Sequence, residues 1–299
     1  MPIRIVQSKQ NARLKQLRRA LAQPGREPGA PAGIEGPNLL AEALRAGLRI
    51  PTVFVAQGAE ALLDGMRLPT DAEIVALPKA LLQSALATET PQPVAALVEP
   101  PGWSWAQLLD SPGTAPLVIV LTGLQDPGNL GTILRSAEAF GATGVVSLPG
   151  TVSAWNPKAV RASAGSVFRV PLLAASEEEC LTRLREAGVR VLTTAASLRE
   201  GTGFSPYNSY AKDRGALAPA EPQSAHLALL DGPIAILIGN EGNGVPAGLA
   251  AKANGAITIP CPGPVESLNA AVAASVLLYE ASRQRSEAKA PGRRKGARR

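Results

Sequence analysis

The chain has 299 residues, 45% apolar and only 3% aromatic, with a formal net charge of +6. That length holds one large or two modest domains. A core of Ala, Leu, Val and Ile rather than aromatics suits a buried parallel sheet under helices. Cys180 and Cys261 are too few and too far apart for a disulfide framework or a metal-ligand set, so no metal is expected. The start MPIRIVQSKQ has no apolar signal core and no run reaches the roughly 18 apolar residues of a membrane span, which predicts a reduced, cytoplasmic setting without membrane contact.

In chain order, residues 7–22 read as an amphipathic helix with Ser8 as N-cap and Leu14, Leu17 and Leu21 on one face. Its other face is basic, carrying Arg13, Lys15, Arg18 and Arg19, with Arg4, Lys9 and Arg26 nearby. Such a face is either merely solvated or an attractor for a polyanion. Pro24 to Pro37 reads as loop. A helix is expected over 38–47, stopped by Gly47, then a strand at 51–56, a helix at 58–64, a strand at 73–78, a helix at 79–86 and a strand at 94–100. These make a small α/β domain over 1–98. Residues 99–116, with Pro100, Pro101, Pro112 and Pro116, read as a linker.

From 117 to 285 the pattern changes. LVIVLTGL (117–124) is continuously apolar, as in a strand buried on both faces. Similar runs recur at 144–149, 167–172, 189–196, 233–242 and 255–261, alternating with helices at 129–140, 156–164, 176–187 and 267–284. Alternation of this kind predicts a doubly wound parallel sheet. The polar stretch 199–226 reads as an insertion holding the single histidine, His226, for which a structural or solvated role is expected. Residues 286–299 read as a disordered basic tail that adds salt-dependent attraction to phosphates.

Chemistry gathers after three of the buried strands, where open α/β sheets bind ligands. The first cluster is GLQDPGNLGTILR (123–135): Asn129 sits where a helix N-cap is wanted, Arg135 lies inside the helix, and Gly131 leaves room for another backbone or a ligand. The second is IGNEGNGVP (238–246), whose glycines imply unusual dihedrals or close backbone approach. Its G-x-x-G-x-G order is not the dinucleotide fingerprint, and no P-loop occurs. The third is IPCPGPVESLN (259–269), delivering Ser267 and Asn269 to the first turn of a long helix. Singly, each could be a simple cap or turn.

Together, NLGTILR (129–135), ILIGNEGNGVP (236–246) and IPCPGPVESLNAAVA (259–273) resemble, in order, the three motifs of the SpoU (TrmH-like) family of RNA ribose 2′-O-methyltransferases, in the SPOUT superfamily. More loosely, IEGPNLLAEAL (34–44) is similar to that family's N-terminal substrate-binding domain. The resemblance implies a C-terminal trefoil knot, a homodimer and S-adenosylmethionine as cofactor. It implies cofactor contacts from Thr194, Ala195, Gly239, Asn240, Gly244, Ile259 and Leu268, and functional side chains at Asn129, Arg135, Glu241, Ser267 and Asn269. Arg13, Lys15, Arg18 and Arg19 would then grip RNA phosphates. A guanidinium is a poor base, so Arg135 is expected to bind the phosphate and steady the developing alkoxide. Ribosomal RNA is the expected substrate. The alternatives are transfer RNA, or a non-catalytic RNA-binding protein on the same fold.

Overall fold

The computed structural model describes residues 3–24, 29–86, 88–110, 112–195, 222–265 and 267–289. The chain divides into two compact units that do not follow chain order. One comprises Met1–Gly102, Asp126–Arg135 and Val152–Arg169; the other comprises Trp103–Gln125, Ser136–Thr151 and Val170–Arg299.

In the first unit, strands β1 (Ile3–Ile5), β2 (Ala32–Glu35), β3 (Thr52–Ala56), β4 (Glu73–Leu77) and β5 (Val94–Val98) form one sheet in the order β1-β4-β3-β5-β2. The β1–β4 and β3–β4 pairs are parallel; β5 runs antiparallel to β3 and β2. Helix α1 (Ala12–Ala22) buries Leu14, Leu17 and Leu21, as its spacing requires, in a cluster with Phe54, Val75, Leu77 and Leu97. Its cap is Asn11, not Ser8: the Asn11 Oδ1 accepts the amides of Arg13 and Leu14 at 2.9 and 3.2 Å, while the Ser8 Oγ accepts only the Gln10 amide. Helix α2 (Pro37–Arg45) starts with proline in its first turn, and Gly47 follows it at φ +71°. The expected helix at 58–64 is one 3-10 turn, Glu60–Leu63, and α3 is short (Lys79–Gln83).

Two strands of this unit were not expected. β1 is exposed at all three residues, so it offers no hydrophobic alternation. β2 lies in the stretch read as Pro/Gly loop, and its Gly33 sits under Leu21 with room for no side chain: a Cβ there would lie 2.8 Å from the leucine. Glu35 at the end of β2 is buried, its Oε1 accepting from Thr88 Oγ1 at 2.6 Å and from the Gln92 amide at 2.9 Å.

The second unit holds a seven-stranded, wholly parallel sheet in the order β10-β12-β9-β11-β6-β7-β8. Its strands are β6 (Leu117–Leu121), β7 (Gly144–Ser147), β8 (Leu172–Ala174), β9 (Arg190–Ala195), β10 (Gln223–Ser224), β11 (Ile234–Ile238) and β12 (Gly255–Thr258). The apolar runs are buried as expected: β6 and β11 at every position. The run at 167–172 differs. It opens on a 3-10 turn, Ser166–Phe168, before β8 begins.

The expected linker carries a helix, α4 (Trp105–Leu109), with a Ser104–Gln107 capping box. Its Leu108 is fully buried with Val118, Val146 and Leu184. The remaining helices are α5 (Pro127–Ala139), α6 (Pro157–Ser163), α7 (Glu177–Glu186), α8 (Ala247–Ala250) and α9 (Ala270–Lys289). The half-buried Arg285 fastens α9 to the foot of the sheet: its guanidinium donates to the carbonyls of Ala115, Pro116, Leu230 and Gly232. Residues 286–289, expected to open the disordered tail, instead continue α9, whose intrahelical bonds carry on past the apolar stripe. Most of the polar insertion, and the basic tail from residue 290, lie outside the described residues. No helix among the described residues is long and apolar enough to cross a membrane.

Candidate functional site at the strand ends

The first loop leaves β6 and enters α5. Asp126, not Asn129, caps this helix. Its Oδ1 accepts the Asn129 amide at 2.8 Å, Pro127 fills the first helical position and Asn129 the third. Asp126 also accepts from Lys158 Nζ at 2.8 Å. That bond, then the one from the Asn129 amide, holds its carboxyl below the usual value. Arg135 is exposed on α5, six residues beyond Asn129 and therefore about 240° round the helix. Among the described residues its guanidinium has no hydrogen-bond or ion-pair partner. What approaches Gly131 is backbone: a Cβ there would lie 2.3 Å from the Ala159 carbonyl oxygen.

The second loop leaves β11 and closes on itself. Asn240 and Gly244 exchange amide-to-carbonyl bonds of 3.1 and 2.9 Å, and Gly244 takes φ +65°. The closure presses Gly244 against Gly239 so tightly that a Cβ on Gly239 would sit 2.1 Å from the Gly244 carbonyl carbon. Asn240 holds the turn, its Oδ1 accepting the Gly242 amide at 2.8 Å and the Asn243 amide at 3.3 Å. Its Nδ2 reaches the first loop, donating to the Gly123 carbonyl at 2.8 Å, and the exposed Glu241 accepts the Gln125 amide at 3.4 Å. The first two loops are thus joined.

The third loop leads into α9. Asn269 caps that helix, accepting the amides of Ala271 and Val272 at 2.9 and 3.3 Å; Ser267 is exposed and Leu268 half-buried just before it. The helices that follow the first and third loops meet further along, where Ser136 Oγ and Ser275 Oγ lie 2.7 Å apart.

The carboxyl ends of β11, β9 and β12 lie side by side, with Thr193 paired to Leu237 and Thr258 to Ala195. Thr194 Oγ1 donates to the Leu237 carbonyl at 2.9 Å. Among the described residues Thr258 Oγ1 is buried with no partner, and Thr52 Oγ1, in the other sheet, is the second such atom. A buried orphan hydroxyl at a strand end, one residue before Ile259, fits a bound polar ligand. Other chemistries find less support. Burial pushes the Cys180 thiol up to about 12, so it is no nucleophile at neutral pH. No metal-holding cluster occurs among the described residues. His226 is exposed beside Ser224 Oγ, at 2.7 Å.

On α1, Lys15 and Arg19 are exposed. Arg13 is partly spoken for. It donates to Glu73 at 2.8 Å and Arg4 to the same carboxylate at 3.0 Å. Burial raises the Glu73 pKa, but the two arginine hydrogen bonds outweigh it and leave the carboxyl below its ordinary value. Arg18 donates to Ser84 Oγ at 3.1 Å. Glu73 and Ser84 are acceptors that spacing along α1 does not disclose.

Two family profiles match the chain: the SpoU rRNA Methylase family over residues 116–279 and the MRM3-like substrate binding domain over residues 11–96. The chain is 34% identical over 250 residues to 23S rRNA (guanosine(2553)-2'-O)-methyltransferase RlmP of Bacillus subtilis, covering 82% of this chain and 86% of that protein. It is 32% identical over 295 residues to the mitochondrial rRNA methyltransferase 3 of Mus musculus, covering 88% and 70%. An AdoMet-bound rRNA methyltransferase from Sinorhizobium meliloti superimposes with a TM-score of 0.75 at 28% identity, over 94% of this chain and 98% of that one.

Proposed function

The chain belongs to the SpoU rRNA methylase family, and on that footing we propose that it methylates a ribose 2′-hydroxyl of ribosomal RNA with S-adenosylmethionine as the donor. The observation that carries the reading is the joined pair of loops after β6 and β11, beside the β12 end with its orphan Thr258 hydroxyl. Guanosine is the nucleoside named for the Bacillus subtilis relative, and a guanosine in large-subunit RNA is the first target to try here.

When bound, the cofactor supplies an electrophilic methyl on a sulfonium that is already a good leaving group. The backbone of Gly239, Ile259 and Leu268 and the side chains of Thr194 and Thr258 would hold it, beside Ala195, with Asn240 and Gly244 keeping the second loop in shape. Arg135 binds the phosphate beside the target ribose and steadies the oxygen as its proton passes to solvent water. Asn129 sits at the start of the same helix, on another face, and orients the substrate rather than Arg135. Glu241 braces the first loop through the Gln125 amide. Asn269 caps α9, which fixes where Ser267 stands. Most of the work is alignment of oxygen, carbon and sulfur, for which rigid loops suffice.

The finer architecture follows the family resemblance. Residues 1–98 select the RNA, with Lys15 and Arg19 the exposed cations of α1. A trefoil knot at the C-terminal strands accords with a wholly parallel sheet in which β9 lies between β11 and β12. A homodimer accords with α9, which exposes Val272, Val276 and Tyr279 at 49%, 38% and 55%, one stripe at helical spacing. A cytoplasmic setting is where ribosomal RNA would be met.

The test is methyl transfer. Labelled S-adenosylmethionine and protein-free ribosomal RNA from cells lacking the gene should give one 2′-O-methyl site, mapped by resistance of the linkage to alkali. Calorimetric cofactor binding without transfer to any RNA would favour the non-catalytic reading.

A further inference from the structure

Helices α5 and α6 touch through glycine. A Cβ on Gly128 would lie 3.2 Å from Lys158 Cε; one on Gly131 would lie 2.6 Å from Ala162 Cβ and 2.9 Å from the Ser163 nitrogen. Residue numbers rise together along the contact, so the two segments run side by side in the same direction. On α5, Leu130, Ile133 and Leu134 are buried while Thr132 and Arg135 are exposed. On α6, Ala159, Val160 and Ser163 are buried while Lys158 and Arg161 are exposed.

Helical geometry decides whether those exposed arcs agree. At about 100° per residue, seen from the N-terminal end, Thr132 and Arg135 lie clockwise of the Gly131 contact. Lys158 and Arg161 lie anticlockwise of the Ala162 contact by the same count. For parallel neighbours, these two arcs open to the same side. Arg135 and Arg161 therefore share one solvent face across the α5–α6 seam.

The cations on this face differ in one respect. Lys158 is paired with Asp126 at 2.8 Å. Among the described residues neither Arg135 nor Arg161 has a hydrogen-bond or ion-pair partner. Two unpaired guanidinium forks on one face match the repeated phosphates of a polynucleotide, which each fork can take by two parallel hydrogen bonds. We infer that Arg161 grips an RNA phosphate next to the nucleotide on which Arg135 works, making the α5–α6 face part of the substrate-binding surface. This rests on the RNA-methylation reading. Its place in the reaction is binding: the Arg161 charge anchors the strand while Arg135 acts at the ribose.

The experiment compares wild type, Arg161→Ala and Arg161→Lys with in-vitro-transcribed large-subunit ribosomal RNA as probe. Anisotropy gives RNA affinity across a salt series, and labelled methyl transfer gives kcat and KM. Arg161→Ala should raise KM and weaken binding about tenfold, with kcat within about twofold. It should lower the slope of log affinity on log salt by about 0.7–0.9, one phosphate contact. Arg161→Lys should keep the slope, because the charge remains, and lose part of the affinity. Arg185→Ala, an exposed α7 arginine, should change none of these. Wild-type KM and salt slope in Arg161→Ala, with an unchanged melting curve, would overturn the inference. The binding arm needs no methyl transfer. An inactive wild type would sink the proposed function while Arg161 was still judged on RNA affinity.

Discussion

Asn240 donates to the Gly123 carbonyl at 2.8 Å, so a side chain from the loop after β11 holds the backbone of the loop after β6. The same residue accepts two amides of its own turn. One half-buried amide thus fixes both the shape of one loop and its seat against the other. Removing it should act on cofactor affinity before it acts on anything else.

Asn240→Ala is expected to cost about 1–2 kcal/mol of stability, the range for losing a few partly buried hydrogen bonds, and to weaken S-adenosylmethionine binding about tenfold. Asn240→Asp keeps the Oδ acceptors and loses only the donor to Gly123. It should retain the stability of the turn and lose most of the affinity. Calorimetry and thermal melts separate the two effects. Equal affinity in all three proteins would mean that the seating of the loops is irrelevant to the cofactor.

Asp126 gives a pH signature. Its folded pKa is depressed, chiefly by the hydrogen bond from Lys158 and then by the Asn129 amide. A depressed carboxylate contributes stability above its unfolded value, near 3.8, and loses it as pH falls through the lower folded value. Asp126→Ala should therefore be less stable than wild type near neutral pH, by about 1 kcal/mol as for other lost caps. The gap should close only below about pH 3.8. Denaturant midpoints of both proteins from pH 7 to 3 check this; a gap closing at pH 6 would point to another group.

Much of the fold is legible because burial dictates residue type. The run Leu117–Leu121 has no polar face to show, so it can only be an interior strand, and Ile234–Ile238 is the same case. Where burial is partial, local chemistry competes. Ser8, Asn11, Asp126 and Asn129 are all acceptable caps by type, and which one caps depends on where the helix is forced to start. At α5 that is set by Pro127, whose missing N–H suits the first turn. The exposed β1 pairs along only one edge, with β4 far along the chain, and leaves no periodicity to read. In the site, the residue types of the three loops were readable, but the Asn240–Gly123 bond and the partnering of Arg13 by Glu73 are tertiary.

Arg285 is a stability prediction. Its guanidinium satisfies the carbonyls of Ala115, Pro116, Leu230 and Gly232 at 2.5, 2.9, 3.1 and 2.5 Å. Arg285→Ala should cost about 3 kcal/mol, since charge-assisted hydrogen bonds are each worth more than neutral ones and the carbonyls lose their donor. Arg285→Lys should recover little, because one ammonium cannot span four acceptors. Urea unfolding measures both; a lysine variant as stable as wild type would show that charge alone, not the fork, matters.

Arg135 supplies the sharpest test of mechanism. Its guanidinium is exposed and unpartnered among the described residues, and it lies about 240° round α5 from Asn129. Arg135→Ala should bind S-adenosylmethionine like wild type, since none of the proposed cofactor contacts is touched, and lose about a hundredfold to a thousandfold in kcat, the order seen when a transition-state charge donor is removed. If the arginine serves the cofactor bound by a second subunit, inactive partners should complement. Gly239→Ala destroys the second loop, where a Cβ would meet the Gly244 backbone at 2.1 Å. A mixed dimer of Arg135→Ala with Gly239→Ala then keeps one intact cofactor loop facing one intact Arg135 across the interface. Co-expressed with different tags and purified through both, it should regain a measurable share of wild-type turnover. If arginine and cofactor act within one chain, neither subunit of that dimer has both, and the mixture stays as inactive as its parents.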